Sequence, residues 1–180
     1  MSDLTITHAG VTKSKVTGGE FLSADKKLNQ MKVDLITVVP DIAEATYSTG
    51  DLMAEGETIE NAVAVKSGSC ILQSISAIDT SDTGGTIYLV ITDNQADLGT
   101  VGNAINAADN MADNSVAIVE LSNWTDIGGA KVCTKGNIGL VCQSSSTTKN
   151  LYFGVVNVSG GNIVIGSSED IIFRFGVIKD

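Results

Sequence analysis

The sequence predicts an all-β fold: an antiparallel β-sandwich, jelly-roll-like, with an extended N-terminal arm and one short helix. Three observations predict it. Glycine is abundant at 19 residues while proline occurs once, and Ser, Thr, Asn and Asp crowd between short apolar runs, as in turn-rich β architecture. Aromatic residues make up only 4% of the chain, so the core falls to Ile, Val, Leu and Ala, whose branched members favour pleated, half-buried surfaces. Finally, Ile87-Tyr88-Leu89-Val90-Ile91 is apolar at consecutive positions, the pattern of a strand buried on both faces at the centre of a sandwich.

A chain of 180 residues suits one domain and buries roughly 70% of its unfolded surface, enough for a core without staples. Residues 1–31 read as the arm and 32–180 as the sandwich. In the arm, Leu4, Ile6, Val11, Val16, Phe21, Leu22 and Leu28 are scattered among Thr, Ser, Lys and Gly without a period. Such a segment gains order chiefly by lying on another surface. Ser23 is placed to cap a helical turn or two ending near Gln30.

The first strand is expected over 32–39, ended by Pro40, which lacks a ladder donor and restricts Val39. Tyr47-Ser48-Thr49-Gly50-Asp51 then reads as a tight entry into the next strand, with Gly50 free to turn and Asp51 bonding nearby amides. Glu55-Gly56-Glu57 reads as a solvated turn before a strand over 58–65. Further strands are expected at 70–78, 86–92 and 115–121, with a helix from the Ala104, Ile105, Ala108, Met111, Ala112 stripe. Segments 130–134 and 138–143 read as a hairpin or two neighbouring strands, and 143–150 as an exposed loop. Ser159-Gly160-Gly161 predicts a tight hairpin between 151–158 and 162–165. The terminal segment alternates strictly, with Ile171, Phe173, Phe175 and Val177 on one face and Ile172, Arg174, Gly176 and Ile178 on the other.

Composition narrows function. The formal charge of −10 argues against nucleic acid, whose phosphates demand clustered Lys and Arg, and against acidic membranes. Residues 1–32 are nonetheless net +2, leaving −12 on the remaining 148. No apolar run approaches the ~18 residues that span a bilayer, and no basic-then-apolar export pattern opens the sequence. Three cysteines, Cys70, Cys133 and Cys142, fit a reducing cytoplasm; Cys133 and Cys142 flank a turn and are placed to face each other across a hairpin, paired or reduced.

Histidine chemistry is confined to His8, which disfavours a triad or a zinc site. The 21 acidic residues leave a carboxylate-pair glycosidase formally open, but nearly all sit beside turn residues. Asp79-Thr80-Ser81-Asp82-Thr83-Gly84-Gly85 brings oxygen ligands together yet fails the spacing of a twelve-residue calcium loop. No double glycine opens a helix after a strand, so no phosphate cradle is expected. The reading is therefore no enzyme, no cofactor and no metal. Trp124 reads as a cap on the core edge, with a sugar-stacking role as the alternative.

The order of features after residue 45 resembles the capsid decoration, or cement, proteins of tailed-bacteriophage heads. The resemblance is carried by Tyr47-Ser48-Thr49-Gly50-Asp51, by Ser67-Gly68-Ser69 leading into Ile71-Leu72-Gln73-Ser74-Ile75, and by Ile87-Tyr88-Leu89-Val90-Ile91 with Asp93. Ser122-Asn123-Trp124, Asn137-Ile138-Gly139-Leu140, Asn150-Leu151-Tyr152 and the closing segment 171–180 follow in the same sequence. It implies a non-enzymatic virion protein, made in the host cytoplasm, that sits outside the head, bridges neighbouring major capsid subunits and stabilises the shell. A homo-oligomer, trimer or dimer, is expected at local symmetry axes. The arm lies outside the resemblance; its lysines and apolar points make Lys13, Lys15, Phe21, Lys26 and Lys27 the candidate capsid contacts. The alternative is a head-fibre, knob or tail-associated protein touching a host glycan through Trp124 and the 144–148 loop. A cell-encoded adhesin-like or pilin-like module fits the odd cysteine count and missing export pattern less well.

Overall fold

The structure, a computed structural model, describes residues 6–8, 11–13, 32–107 and 115–179. The chain divides into two units, Met1–Gln30 and Met31–Asp180. In the first, β1 (Ile6–His8) and β2 (Val11–Lys13) pair antiparallel, with Ile6 opposite Lys13 and His8 opposite Val11. The expected helical turn near Gln30 lies outside the described residues.

The second unit holds β3 (Lys32–Val38), β4 (Thr46–Tyr47), β5 (Leu52–Ile59), β6 (Ser69–Asp79), β7 (Ile87–Thr92) and β8 (Ser115–Leu121). They are followed by β9 (Thr125–Asp126), β10 (Lys131–Lys135), β11 (Leu140–Gln143), β12 (Leu151–Asn157), β13 (Ile163–Val164) and β14 (Ile171–Lys179). One sheet runs β3-β14-β6-β10-β9, with β11 also on β6; the other runs β5-β12-β7-β8, and β13-β4 is a separate small ladder. Every pairing is antiparallel.

The pairings nest. β3 takes β14, β5 takes β12, β6 takes β10 and β11, and β7 takes β8, so one long hairpin ribbon is rolled upon itself. Contacts of β14 with β6 and of β12 with β7 close the roll into two sheets. That connectivity is a jelly roll, an architecture that viral capsid domains, lectin domains and cupins share.

The alternation of β14 decides which face is inside. Phe173, Phe175 and Val177 are fully buried and meet Phe153 and Val155 of β12 and Ile87, Leu89 and Ile91 of β7. The Phe153 ring lies edge-on to Phe173 at 5.5 Å and tilted against Phe175 at 5.1 Å. β7 is buried on both faces, as its unbroken apolar run requires. Its second face, through Val90, joins Leu52, Val156, Ala96 and Leu98 in a smaller cluster roofed by the loop after β7.

Several local expectations are corrected. Glu55-Gly56-Glu57 lies inside β5, because Gly56 at φ +66° allows a bulge opposite Phe153–Val155 that keeps both glutamates in the strand. The strand expected over 58–65 therefore stops at Ile59. Ala104 forms an isolated bridge with Asp51 and residues 105–107 have no regular structure, so the helical stripe fails over 104–107; residues 108–114 lie outside the described residues. β10 and β11 do not pair with each other but follow one another along β6.

The clearest expected hairpin also fails. β13 pairs with β4, placing Ile163 opposite Tyr47. Asn157, completely buried, explains it: its amide donates to the carbonyls of Tyr47 at 2.8 Å and Gly161 at 2.9 Å, while its oxygen accepts from Ser159 N and Oγ. The 159–161 turn is drawn onto the end of β12, and the chain leaves towards β4.

At the far end of β14, Lys179 is almost fully buried. Its ammonium donates to Asp34 Oδ2 and to the Asn61 carbonyl, both at 2.5 Å, tying the last strand to β3 and to the turn after β5. The hydrogen bond from Lys179 holds the Asp34 carboxyl below its ordinary value, and Lys32 at 3.2 Å adds to it. For a lowered acid the contribution is complete above the ordinary value of 3.8 and fades as pH falls through the lower folded value. Asp34→Asn should therefore lower the thermal midpoint near pH 7, and its deficit should shrink as pH falls below the ordinary value of 3.8. A pH-independent deficit would show that the ion pair is not the cause.

Candidate partner-binding surface

The outer face of the six-stranded sheet carries an apolar row across four strands. Val33 in β3 stands opposite Ile178 in β14, Ile178 opposite Ile71 in β6, and Ile71 opposite Val141 in β11. The alternation that buries Val177 and Leu72 turns this row outward. Val33 is 74% exposed and Val141 66%, with the two isoleucines half-buried between them. Beside the row, Leu35 is 67% exposed. Contiguous exposed apolar side chains of this kind mark contact surfaces more often than solvated ones.

The second feature is the side of the sandwich where β3 and β5 each end a sheet. A groove of about 400 Å³ runs between them, lined by Ile36, Thr37, Val38 and Val39 on one wall and Gly56, Glu57, Thr58 and Glu60 on the other. Glu57 accepts a hydrogen bond from the Asp41 amide at 3.1 Å. Burial pushes its carboxyl above the ordinary value, with the Asp41 charge adding to the rise.

The remaining acidic and polar features serve the fold. Asp79 is buried and its carboxylate accepts from Ser81 N, Ser81 Oγ and Gly84 N, so the oxygen-rich 79–85 loop is turned onto its own backbone. Among the described residues no group of His, Cys, Asp and Glu is arranged to hold a metal ion. Trp124 donates its indole N–H to the Gly85 carbonyl at 2.7 Å and packs against the main core, the cap that its position suggested. In the 144–148 loop, buried Ser144 bonds the Thr148 carbonyl, and Ser145 and Thr147 bond each other.

The sequence placed the partner contact in the arm. Lys13 falls in β2, its backbone opposite Ile6, while Lys15, Phe21, Lys26 and Lys27 lie outside the described residues. The row and the groove were missed, although the 33–39 run hinted at them. Val33, Leu35, Ile36, Val38 and Val39 do not alternate cleanly, so an edge position leaves some of them in water.

All three cysteines are reduced and buried. The expected facing of Cys133 and Cys142 does not occur. Cys133 stands opposite Ala77 and Cys142 opposite Cys70, about 23 Å apart along β6 at ~3.3 Å per residue. Its hydrogen bond to Cys70 and its burial push the Cys142 thiol far up, and burial raises Cys133. Since the thiolate is the nucleophile, a disulfide-exchange reagent at about pH 8 should titrate neither in the folded protein and all three cysteines after denaturation. Rapid modification of Cys142 under native conditions would contradict the packing.

The fold and this surface define an acidic jelly roll with two exposed apolar features on its β3 side. No protein-family model matches the chain, and no curated protein matches it. Among solved structures, it is similar to a chain of the tomato aspermy virus crystal structure, with 8% identity and a TM-score of 0.37 over 92% of this chain and 86% of that one. At that level the likeness carries no argument about function.

Proposed function

We propose that the protein is a structural component of a tailed-bacteriophage virion, decorating the outside of the head and bridging neighbouring major capsid subunits to stabilise the shell. The observation that carries this reading is the jelly-roll connectivity, an architecture at home in viral capsids, joined to the motif order that resembles head-decoration proteins. What adds to it is the surface: the apolar row through Val33, Ile178, Ile71 and Val141 is a ready contact for a protein wall. In this reading the protein does no chemistry and needs no cofactor. It binds neither nucleic acid nor membrane, in keeping with its charge of −10.

The glycan-contact alternative is weakened by Trp124, whose indole N–H is already bonded within the fold and whose side chain packs against the core. Clustered copies would strengthen attachment through multivalency, so a trimer or dimer is the expected state. Sedimentation equilibrium checks this, and a monodisperse monomer both free and on the shell would overturn it.

The direct test mixes purified protein with empty expanded heads and follows cosedimentation. Binding that disappears when residues 1–30 are deleted places the contact in the arm. Binding that survives the deletion moves it to the sandwich, where Val33→Lys together with Val141→Lys should then abolish it. No binding by the intact chain would overturn the decoration reading.

A further inference from the structure

The groove between β3 and β5 joins two features that are seldom left together. On the side away from β14, β3 has no strand partner among the described residues. Open edges invite pairing with foreign strands and are normally blunted by charges, prolines or bulges. β3 is blunted in its first half only, by Lys32 and by Asp34, whose carboxylate pairs with both Lys32 and Lys179. Its second half carries no charge before Pro40, and Leu35 and Val39 are exposed. The β5 edge is managed differently, by the bulge at Gly56. One wall of the groove thus offers a free edge and apolar side chains. The other offers carboxylates.

Those carboxylates lack cations. The ion pairs found among the described residues both involve Asp34, while Glu57 is half-buried with only the Asp41 amide for a partner and with the Asp41 charge beside it. A cation supplied from outside would offset that burial. An apolar occupant without charge would not.

We propose that residues 35–39 of β3 accept an added strand from a partner protein, an extended segment in which apolar and basic residues alternate. Main-chain hydrogen bonds to the open edge supply the grip, as in other strand-addition complexes. The face of the added strand turned into the groove carries its lysines or arginines, their charges against Glu57 and Glu60 and their aliphatic stems over Ile36 and Val38. Its other face extends the exposed surface of Leu35 and Val39. The inference rests on the decoration reading only for the identity of the partner, the capsid subunit; the chemistry of the groove stands without it.

The test uses the full chain and an end-blocked eight-residue peptide alternating valine and lysine, with a valine–glutamate peptide as comparator. The lysine peptide should bind and slow amide exchange at 35–39. Leu35→Lys and the pair Glu57→Gln with Glu60→Gln should each weaken it about tenfold, while Ile118→Lys, on the exposed edge strand β8 of the other sheet, should leave it unchanged. Because Leu35 and Glu60 are exposed, these variants should keep the wild-type circular dichroism and thermal midpoint. Equal binding of the two peptides, no binding, or indifference to the groove substitutions would overturn the inference. Head binding lost with peptide binding intact would fault the decoration reading alone, and intact head binding by Leu35→Lys with peptide binding absent would fault the groove alone.

Discussion

Phe153→Ala is expected to cost about 3–5 kcal/mol, the usual loss for truncating a buried aromatic side chain. Phe153 is 1% exposed, sits at the middle of β12, and is the ring against which both Phe173 and Phe175 of the opposite sheet pack. Other aromatics are few, and Phe173 and Phe175 are themselves packed in the buried core, so little is free to move in and fill the space. The cavity should persist, and its persistence adds to the transfer cost. Against a typical domain stability of about 5–15 kcal/mol, the variant would retain a fold only marginally. Urea denaturation checks this as a lower midpoint at an unchanged slope. A loss under about 1 kcal/mol would mean that the two sheets do not meet at this ring.

Asn157→Leu should be nearly as damaging, for the opposite reason. Leucine matches asparagine in size, so little packing is lost. What goes is a set of four hydrogen bonds: two donated to the Tyr47 and Gly161 carbonyls and two accepted from Ser159. Leaving a buried partner unsatisfied costs about 1–3 kcal/mol each. Gly161 and the Ser159 hydroxyl can turn to water, whereas the Tyr47 carbonyl is bonded in the buried interior of the fold. The net expectation is about 3–4 kcal/mol, with faster amide exchange at Ile163 and Tyr47 as the β13–β4 ladder loosens. Asn157→Asp should be worse at neutral pH, because it aims a carboxylate oxygen at two carbonyls. A leucine variant as stable as wild type would show that the 159–161 turn holds itself.

The two substitutions separate what was legible from what was not. Phe153, Phe173 and Phe175 could be read as core from alternation alone, since period-two burial is a property of each strand taken singly. The same holds for the doubly buried run of β7. The Ser48–Asp51 entry was legible too: Asp51 Oδ2 accepts from Ser48 N at 2.6 Å and Gly50 turns at φ +94°. The hairpin after β12 was not legible. Two glycines permit a tight turn wherever they occur, but whether the flanking strands pair with each other depends on Asn157, whose partner at Tyr47 lies 110 residues away.

The candidate site follows the same division. The 33–39 run announced a strand but not an edge, and edge position is what exposes Val33 and Leu35 and opens the groove beside Glu57. The arm lysines were visible as charge on an acidic chain, and charge is all that a sequence offers for a segment without a period. Cys133 and Cys142 illustrate the error that proximity in sequence invites. Eight residues lie between them, and both pack onto β6, yet at opposite ends of it.

By itself, the sequence determined that this chain is all-β, acidic and built on a core of branched aliphatics with a few phenylalanines, because composition and alternation act through each residue's own neighbours. Only the tertiary structure decided which strands meet, which edge is left open and where the carboxylates of β5 come to rest. Those outcomes depend on hydrogen bonds and contacts between residues far apart in the chain, and no local pattern encodes them.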